Sequence, residues 1–375
     1  MRYWELGNEP YVRDSRGPDG RANPEFFRPA QFARRLNAAM AAVRSADPSA
    51  RIGIPFALDT LSGRSWRPHS EPATVVGEQL GYADRLLSAL DRPQDVDFLS
   101  LHFYMPQVSG DGPDLLALLP NDEALYWGGV AGSETLRRHL QTVAEFWAQH
   151  PRTRGIPLPR LLITEYNAFF TNARRNGKEL VQNQYVATVA GALFVADLIR
   201  VMSQEQRIEA AMQWSLSGNW VFGAIQAMDG EGPPSVRPVF HVMRMARELL
   251  EPGGHHLAHE VRAPSTTQPA VQVGYAAPFP NMPLVTTVAT RKDKTLRVLV
   301  INKDPARDAS LSLDLDGAVA RQVQVEQLRA SKVFAFPGTS QAFEIANTSA
   351  SSSADRRQLR WSQSPASVAL VSVTL

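Results

Sequence analysis

Two glutamates stand where short apolar runs give out: Glu9 in WELGNEP (4–10) and Glu165 in RLLITEYN (160–167). If these runs are parallel strands, their carboxyl ends open on one crevice, and side chains far apart in sequence meet there on a rigid scaffold. Paired carboxylates suit hydrolysis of a glycosidic bond. One stays protonated and donates to the leaving oxygen, while the other attacks the anomeric carbon or activates water. A separation of about 5–5.5 Å implies a covalent intermediate and retention; about 6.5–9.5 Å leaves room for a water and implies inversion.

Taken alone, a glutamate at a strand end is usually a solvated loop residue or a capping partner. The neighbours argue for more. Asn8 offers an amide to a sugar hydroxyl, and Pro10 stiffens the corner that presents both residues. His102 and Tyr104 lie two apart in LSLHFYM, so they share a strand face where a buried polar pair needs partners. Trp214 and Trp220 bracket the end of the last strand candidate of the first half, where an aromatic ring could stack on a sugar; taken alone, Trp214 reads more readily as core. Trp127, in the loop candidate YWGGVAG (126–132), is a weaker platform of the same kind.

The elements that must position these groups alternate. Strand candidates at 2–6, 51–58, 97–105, 160–170 and 210–216 are separated by helix candidates at 29–46, 75–90, 134–150, 183–204 and 238–250. In the first helix Phe32, Leu36, Ala39, Met40 and Val43 recur at helical spacing, and Asp47-Pro48 stops it. Strand-helix alternation predicts a parallel sheet with its crossover helices outside. After EPGG (251–254) the pattern changes to period two, with a hairpin over 284–304 turning at Lys292-Asp293 and further strands at 310–315, 321–328, 342–345 and 367–375. That pattern predicts an antiparallel β-sandwich, with the low-complexity TSASSSADRR (348–357) as a mobile loop.

The totals narrow the classes. The chain has 375 residues, 44% hydrophobic and 20% charged, enough for two domains. Basic and acidic residues are intermixed and sum to +2, so neither nucleic acid nor an anionic membrane is an expected partner. The absence of cysteine removes disulfides, thiolate metal sites and cysteine nucleophiles, and leaves the compartment open. His255, His256 and His259 in GGHHLAHE suggest a ligand cluster only superficially, since adjacent histidines point apart. No metal and no cofactor are expected.

The ordered motifs WELGNEP, DFLSLHFY and LLITEYN resemble the clan of retaining glycosidases built on a (β/α)8 barrel, in which the acid/base follows an Asn at the end of strand four and the nucleophile ends strand seven. PAQFARRLNAAMAAVRSADPSARIGIP (29–55), the TEYN context and TLRVLVINKD (295–304) are most similar to glycoside hydrolase family fifty-one, the α-L-arabinofuranosidases. The resemblance implies an α/β plus all-β chain: strands four to eight of a TIM barrel over 1–252, then the sandwich over 253–375. It implies Glu9 as acid/base, Glu165 as nucleophile, Asn8 on the 2-hydroxyl, Tyr104 orienting Glu165, His102 supporting the site and Trp214 flooring the sugar pocket. It also implies a cis peptide at Trp214-Ser215. An acid role for Glu9 requires a pKa above the reference of about 4.3, lost once Glu165 is glycosylated, so that Glu9 then serves as base.

Barrel strands one to three are not in this sequence, from which weak activity and self-association through the incomplete barrel are expected. The implied substrate is a carbohydrate, and the implied reaction is retaining cleavage of O-glycosidic bonds in plant-type poly- or oligosaccharides. Related β-xylosidases, β-glucuronidases, heparanase-like enzymes and endoglucanases share the Asn-Glu corner. A truncated fragment that only binds sugar is the reading from another class.

Overall fold

The computed structural model describes residues 2–11, 28–56, 82–106, 122–169, 174–175, 178–179, 185–218, 222–226, 235–270, 273, 276–333 and 343–375. Five parallel strands form one sheet in sequence order: β1 (Tyr3–Glu5), β2 (Arg51–Pro55), β3 (Phe98–Pro106), β4 (Arg160–Phe169) and β5 (Ile208–Gln213). Each β-to-β step is made through helical chain, as parallel pairing requires. The described helices of this half are α1 (Pro29–Ala46), α2 (Tyr82–Ala89), α3 (Asp122–Val130), α4 (Gly132–Gln149), α5 (Val189–Gln204) and α6 (Pro238–Leu249).

Local chemistry explains where these elements begin and end. Helix α1 opens on Pro29, whose fixed φ suits the first turn, and buries Phe32, Ala33, Leu36 and Met40 against the sheet. It stops at Asp47, whose carboxylate accepts from the Ser49 amide at 2.9 Å and competes with a further helical turn. Helix α5 is capped by Thr188, which accepts from Gly191 N at 3.3 Å, and is buried on all sides because the sandwich covers the face that would otherwise meet solvent. Gly53 of β2 is required by a close approach: a Cβ there would lie 2.0 Å from the Phe98 ring.

The second half contains β6 (Val285–Lys292), β7 (Thr295–Asn302), β8 (Ala309–Asp314), β9 (Gln322–Arg329), β10 (Glu344–Thr348), β11 (Ser351–Ser352), β12 (Gln358–Gln363) and β13 (Ser367–Thr374). A six-stranded sheet runs from His255–His256 through β6, β7, β13 and β9 to β10, facing a three-stranded sheet ordered β8, β12, β11. Val298, Val300, Val325, Leu359, Trp361, Val371 and Val373 fill the space between the two sheets. The first core runs without a break from the parallel sheet into the sandwich, through Val288, Leu299, Ile301 and Leu370.

A partial TIM barrel followed by a β-sandwich is therefore the observed architecture: the alternation predicts its parallel sheet, the period change its sandwich, and the family resemblance implies the barrel. Three readings are corrected. Residues 122–130 form helix α3, and the expected loop around Trp127 is helical up to Val130; Trp127 is only 6% exposed, so it packs rather than stacks on a ligand. TSASSSADRR is ordered: Ser351–Ser352 pair with β12, and Ser353 closes the turn by accepting from Gln358 N on its hydroxyl at 3.0 Å. The hairpin loop is Asp293-Lys294, one residue later than expected, with Asp293 at φ 52°, the conformation a two-residue turn demands. Among the described residues no helix is long and apolar enough to cross a membrane.

Candidate active site

The site is built from the corner that follows β1 and from the middle and carboxyl-terminal parts of β3 and β4. β1 ends at Glu5, and the chain then turns a sharp corner, with Gly7 at φ 103° and Glu9 itself at φ 38°. Gly7 is demanded twice, by its backbone and by the Phe32 ring 2.9 Å from where its Cβ would be. A positive φ at a non-glycine residue is uncommon and costs conformational energy, so the corner holds Glu9 in a direction its backbone would not choose alone.

His102 of β3 is the centre of the constellation. Its Nδ1 lies 2.9 Å from Glu9 Oε1 and 3.4 Å from Glu165 Oε2, and Tyr104 donates its hydroxyl to the same Glu165 oxygen at 2.6 Å. The His102 side chain is 6% exposed, Glu165 20% and Glu9 32%, so the carboxylates open to solvent above a buried imidazole. One donor atom from each of Glu9, His102 and Glu165 falls within 4.8 Å of the others. A cation would tolerate that spacing, but the close His102–Glu9 contact and the Tyr104 bond already engage these atoms as an ion-pair and hydrogen-bond cluster.

A β-bulge makes the convergence possible. Leu101 pairs with Ile163 but His102 pairs with Glu165, so the register passes over Thr164. The extra residue re-aims the strand end and brings Glu165 level with His102. The β4–β5 register is broken twice, between Leu161 and Leu162 and again between Ile163 and Tyr166, and the second break spans the stretch that carries the carboxylate.

Electrostatics follow from this packing. Burial pushes the Glu165 carboxyl up, and the His102 charge and the Tyr104 hydroxyl pull it back without cancelling the effect. For His102, burial alone would depress the pKa, but the Glu9 hydrogen bond and the charges of Glu165, Glu9 and Glu5 outweigh it and hold the imidazole above its usual value. The Tyr104 phenol is pushed well above its ordinary value by burial and by Glu165, so it remains a donor.

The sequence-predicted residues divide clearly. Glu9, His102, Tyr104 and Glu165 are brought together. Asn8 sits exposed on the same corner, beside Glu9. Trp214, at the end of β5, is 49% exposed, so it is not core; its peptide bond to Ser215 is cis. Trp220 lies outside the described residues. Two contributors escaped the sequence reading. Asn167, fully buried, donates to the carbonyls of Trp214 and Phe222 (3.2 Å to the latter), tying β4 to the chain after β5. Ser100 bonds Glu5 across the sheet. An Asn ending the quoted run TEYN was the available signal for the first; for the second there was none.

No family model matches this sequence, and no curated protein matches it. The fold is nevertheless shared with a well-defined class, the barrel-and-sandwich glycoside hydrolases of family fifty-one. The α-L-arabinofuranosidase of Thermotoga petrophila superimposes with a TM-score of 0.69 at 16% identity, covering 99% of this chain and 66% of the other. The family fifty-one arabinofuranosidase of Xanthomonas axonopodis pv. citri gives 0.67 at 16% identity, over 100% and 66% of the two chains. A family forty-four xyloglucanase of Paenibacillus polymyxa gives 0.55 at 13% identity, over 100% and 66%. This chain thus spans about 66% of the length of these structures.

Proposed function

We propose that the chain carries the catalytic centre of a retaining glycoside hydrolase, most consistent with an α-L-arabinofuranosidase, with residues 1–252 as the catalytic part and 253–375 as the sandwich. The observation that carries this reading is the approach of a Glu9 oxygen and a Glu165 oxygen to within 4.8 Å. An approach of this kind is compatible with the gap of a retaining pair.

In this reading Glu165 attacks the anomeric carbon while Glu9 protonates the leaving oxygen; Glu9 then takes a proton from the water that releases the sugar. Burial opposes ionisation of the nucleophile, and His102 and Tyr104 counter that opposition by favouring the carboxylate. Asn8 faces the sugar 2-hydroxyl, and the exposed Trp214 ring offers a stacking surface. The preference for arabinofuranose rests on the fold shared with family fifty-one proteins, and the xyloglucanase likeness is the reason to test other sugars.

Azide chemistry tests both assignments. With an activated aryl α-L-arabinofuranoside, Glu165→Ala should lose turnover and, with azide present, form a glycosyl azide of inverted configuration, because azide enters where the carboxylate attacked. Glu9→Ala should lose about 10²–10⁴-fold in rate and yield an azide of retained configuration. Swapped stereochemistry would exchange the two roles. Absence of turnover across a panel of aryl arabinosides, xylosides, glucuronides and glucosides would end the proposal.

A further inference from the structure

Glu5 is a third carboxylate, and nothing in the chemistry above uses it. From β1 its Oε1 accepts a hydrogen bond from Ser100 of β3 and lies 3.5 Å from the Thr164 hydroxyl of β4. The Ser100 and Thr164 hydroxyls are 2.5 Å apart. Each hydroxyl has one proton and each is placed to donate to the Glu5 oxygen, so one donates to it directly and the other through its neighbour, in a short hydroxyl chain that ends on the carboxylate. A charged acceptor at its end makes the last bond the strong one.

This hydroxyl chain lies directly beneath the proposed catalytic pair. Ser100 and His102 are two apart on β3 and share a face, while Thr164 is the bulge residue next to Glu165. Between β1 and β3 lies β2, where Glu5 pairs with Gly53 and the Phe98 ring fills the space a Gly53 side chain would take. The groups around His102 are then Glu5 and Glu9 from β1 and its corner, Glu165 from β4 and Tyr104 from β3. Glu9 and Glu165 touch the imidazole, Tyr104 bonds Glu165, and Glu5 stands one hydroxyl away, held by the Ser100 side chain on the His102 face of β3.

We propose that Glu5 is a positioning residue of the site, acting through His102: fixed by Ser100 and Thr164, its charge keeps the His102 ring a proton donor shared between Glu9 and Glu165. Its value for catalysis rests on the glycosidase reading, but the electrostatic link does not. Burial works against a charged His102, and Glu5 is one of the charges that reverse the balance.

The test is NMR titration of the ¹³C-histidine-labelled full chain, with the His102 signal assigned by its loss in His102→Asn. Glu5→Gln should lower the His102 midpoint by roughly one pH unit, the effect of one charge a strand level away at an effective dielectric near 20. Glu5→Asp should keep most of the wild-type midpoint. Ser100→Ala, which unties the carboxylate, should shift it in the same direction by less. An unchanged midpoint in both Glu5→Gln and Ser100→Ala would overturn the proposal, and either variant alone decides it if the other fails to fold. Alongside, Glu5→Gln should lower kcat with KM little altered. If no aryl glycoside is turned over by the wild type, the glycosidase reading fails while the His102 midpoint still decides the role of Glu5.

Discussion

At the residue scale, the clearest physical conflict is at Glu165, a partly buried carboxyl that the proposed function asks to be a nucleophile. Its pKa is raised from the ordinary 4.5, burial being the main cause, and the Tyr104 hydroxyl is one of two groups working against that rise. Activity needs the ionised form, so it should appear as pH climbs through a value above the usual glutamate range. Tyr104→Phe removes a bond that favours the carboxylate, and should therefore move the acid limb of kcat/KM further up. A hydrogen bond to a charged group contributes about 1.5–3 kcal/mol, so a loss of roughly 10- to 100-fold below the limb is expected. A pH-rate profile of the variant checks it; a limb that moves down would mean that Tyr104 does not bear on the ionisation of Glu165. The four grouped residues were legible because polar side chains interrupt or end apolar runs, although β4 continues past Glu165 to Phe169 and β3 past Tyr104 to Pro106. The partners of those residues were not: nothing in the order of residues says that Ser100 and Glu5 touch, since that contact depends on the register of β1, β2 and β3.

At the element scale, strand-helix alternation was readable because parallel strands impose crossover helices and each helix buries one face. Helix α1 ends where Asp47-Pro48 says it should. Helix α3 was missed because YWGGV contains two adjacent glycines, poor helix formers, and tertiary packing overrides them: a Cβ at Gly129 would collide with the Tyr185 hydroxyl, and one at Gly128 with Val273. The bulge at Thr164 was equally hidden, since an extra residue in one strand leaves the apolar pattern intact. Gly53 offers a measurable consequence. Gly53→Ala places a methyl 2.0 Å from the Phe98 ring, in a core with little slack. It should lower unfolding free energy by about 1–3 kcal/mol in urea titration. Adding Phe98→Leu should recover part of that loss; a Gly53→Ala protein as stable as wild type would show that the ring moves aside freely.

At the scale of the whole molecule, the two halves are joined by a charge cluster that the sequence hides, since nothing in VINKD marks Lys303 as buried. Lys303, just past β7, extends its ammonium to Asp197 of α5 at 2.7 Å, with both side chains 1% exposed. Arg200 donates to the other Asp197 oxygen at 2.6 Å, Thr286 of β6 to that same oxygen at 2.7 Å, and Ser133 of α4 completes the shell. Arg200 also reaches Glu134 at 2.9 Å, so two cations face two carboxylates. The gain is uneven: despite burial Asp197 is held far below its ordinary 3.8 by Arg200 and Lys303, whereas burial and the like charge of Arg200 depress the Lys303 ammonium. A buried pair of this kind is weak evidence of net stabilisation, yet removing one partner strands the other. Lys303→Met should therefore cost about 3–5 kcal/mol. Because α5 is the helix between the strand of Glu165 and β5, the cost should fall on both halves together: fluorescence of Trp147 in α4 and of Trp361 in β12 should report one shared transition at lower urea. The pH dependence has a definite sign. A carboxyl depressed in the folded state contributes stability that is complete above its unfolded pKa and is lost as pH falls through its folded value. Wild-type stability should thus decline with acidification below about 4, and Lys303→Met, in which Asp197 is less depressed, should decline less steeply over the same range. Separate transitions for the two tryptophans, or parallel acid profiles for the two proteins, would show that the cluster does not couple the sandwich to the parallel sheet.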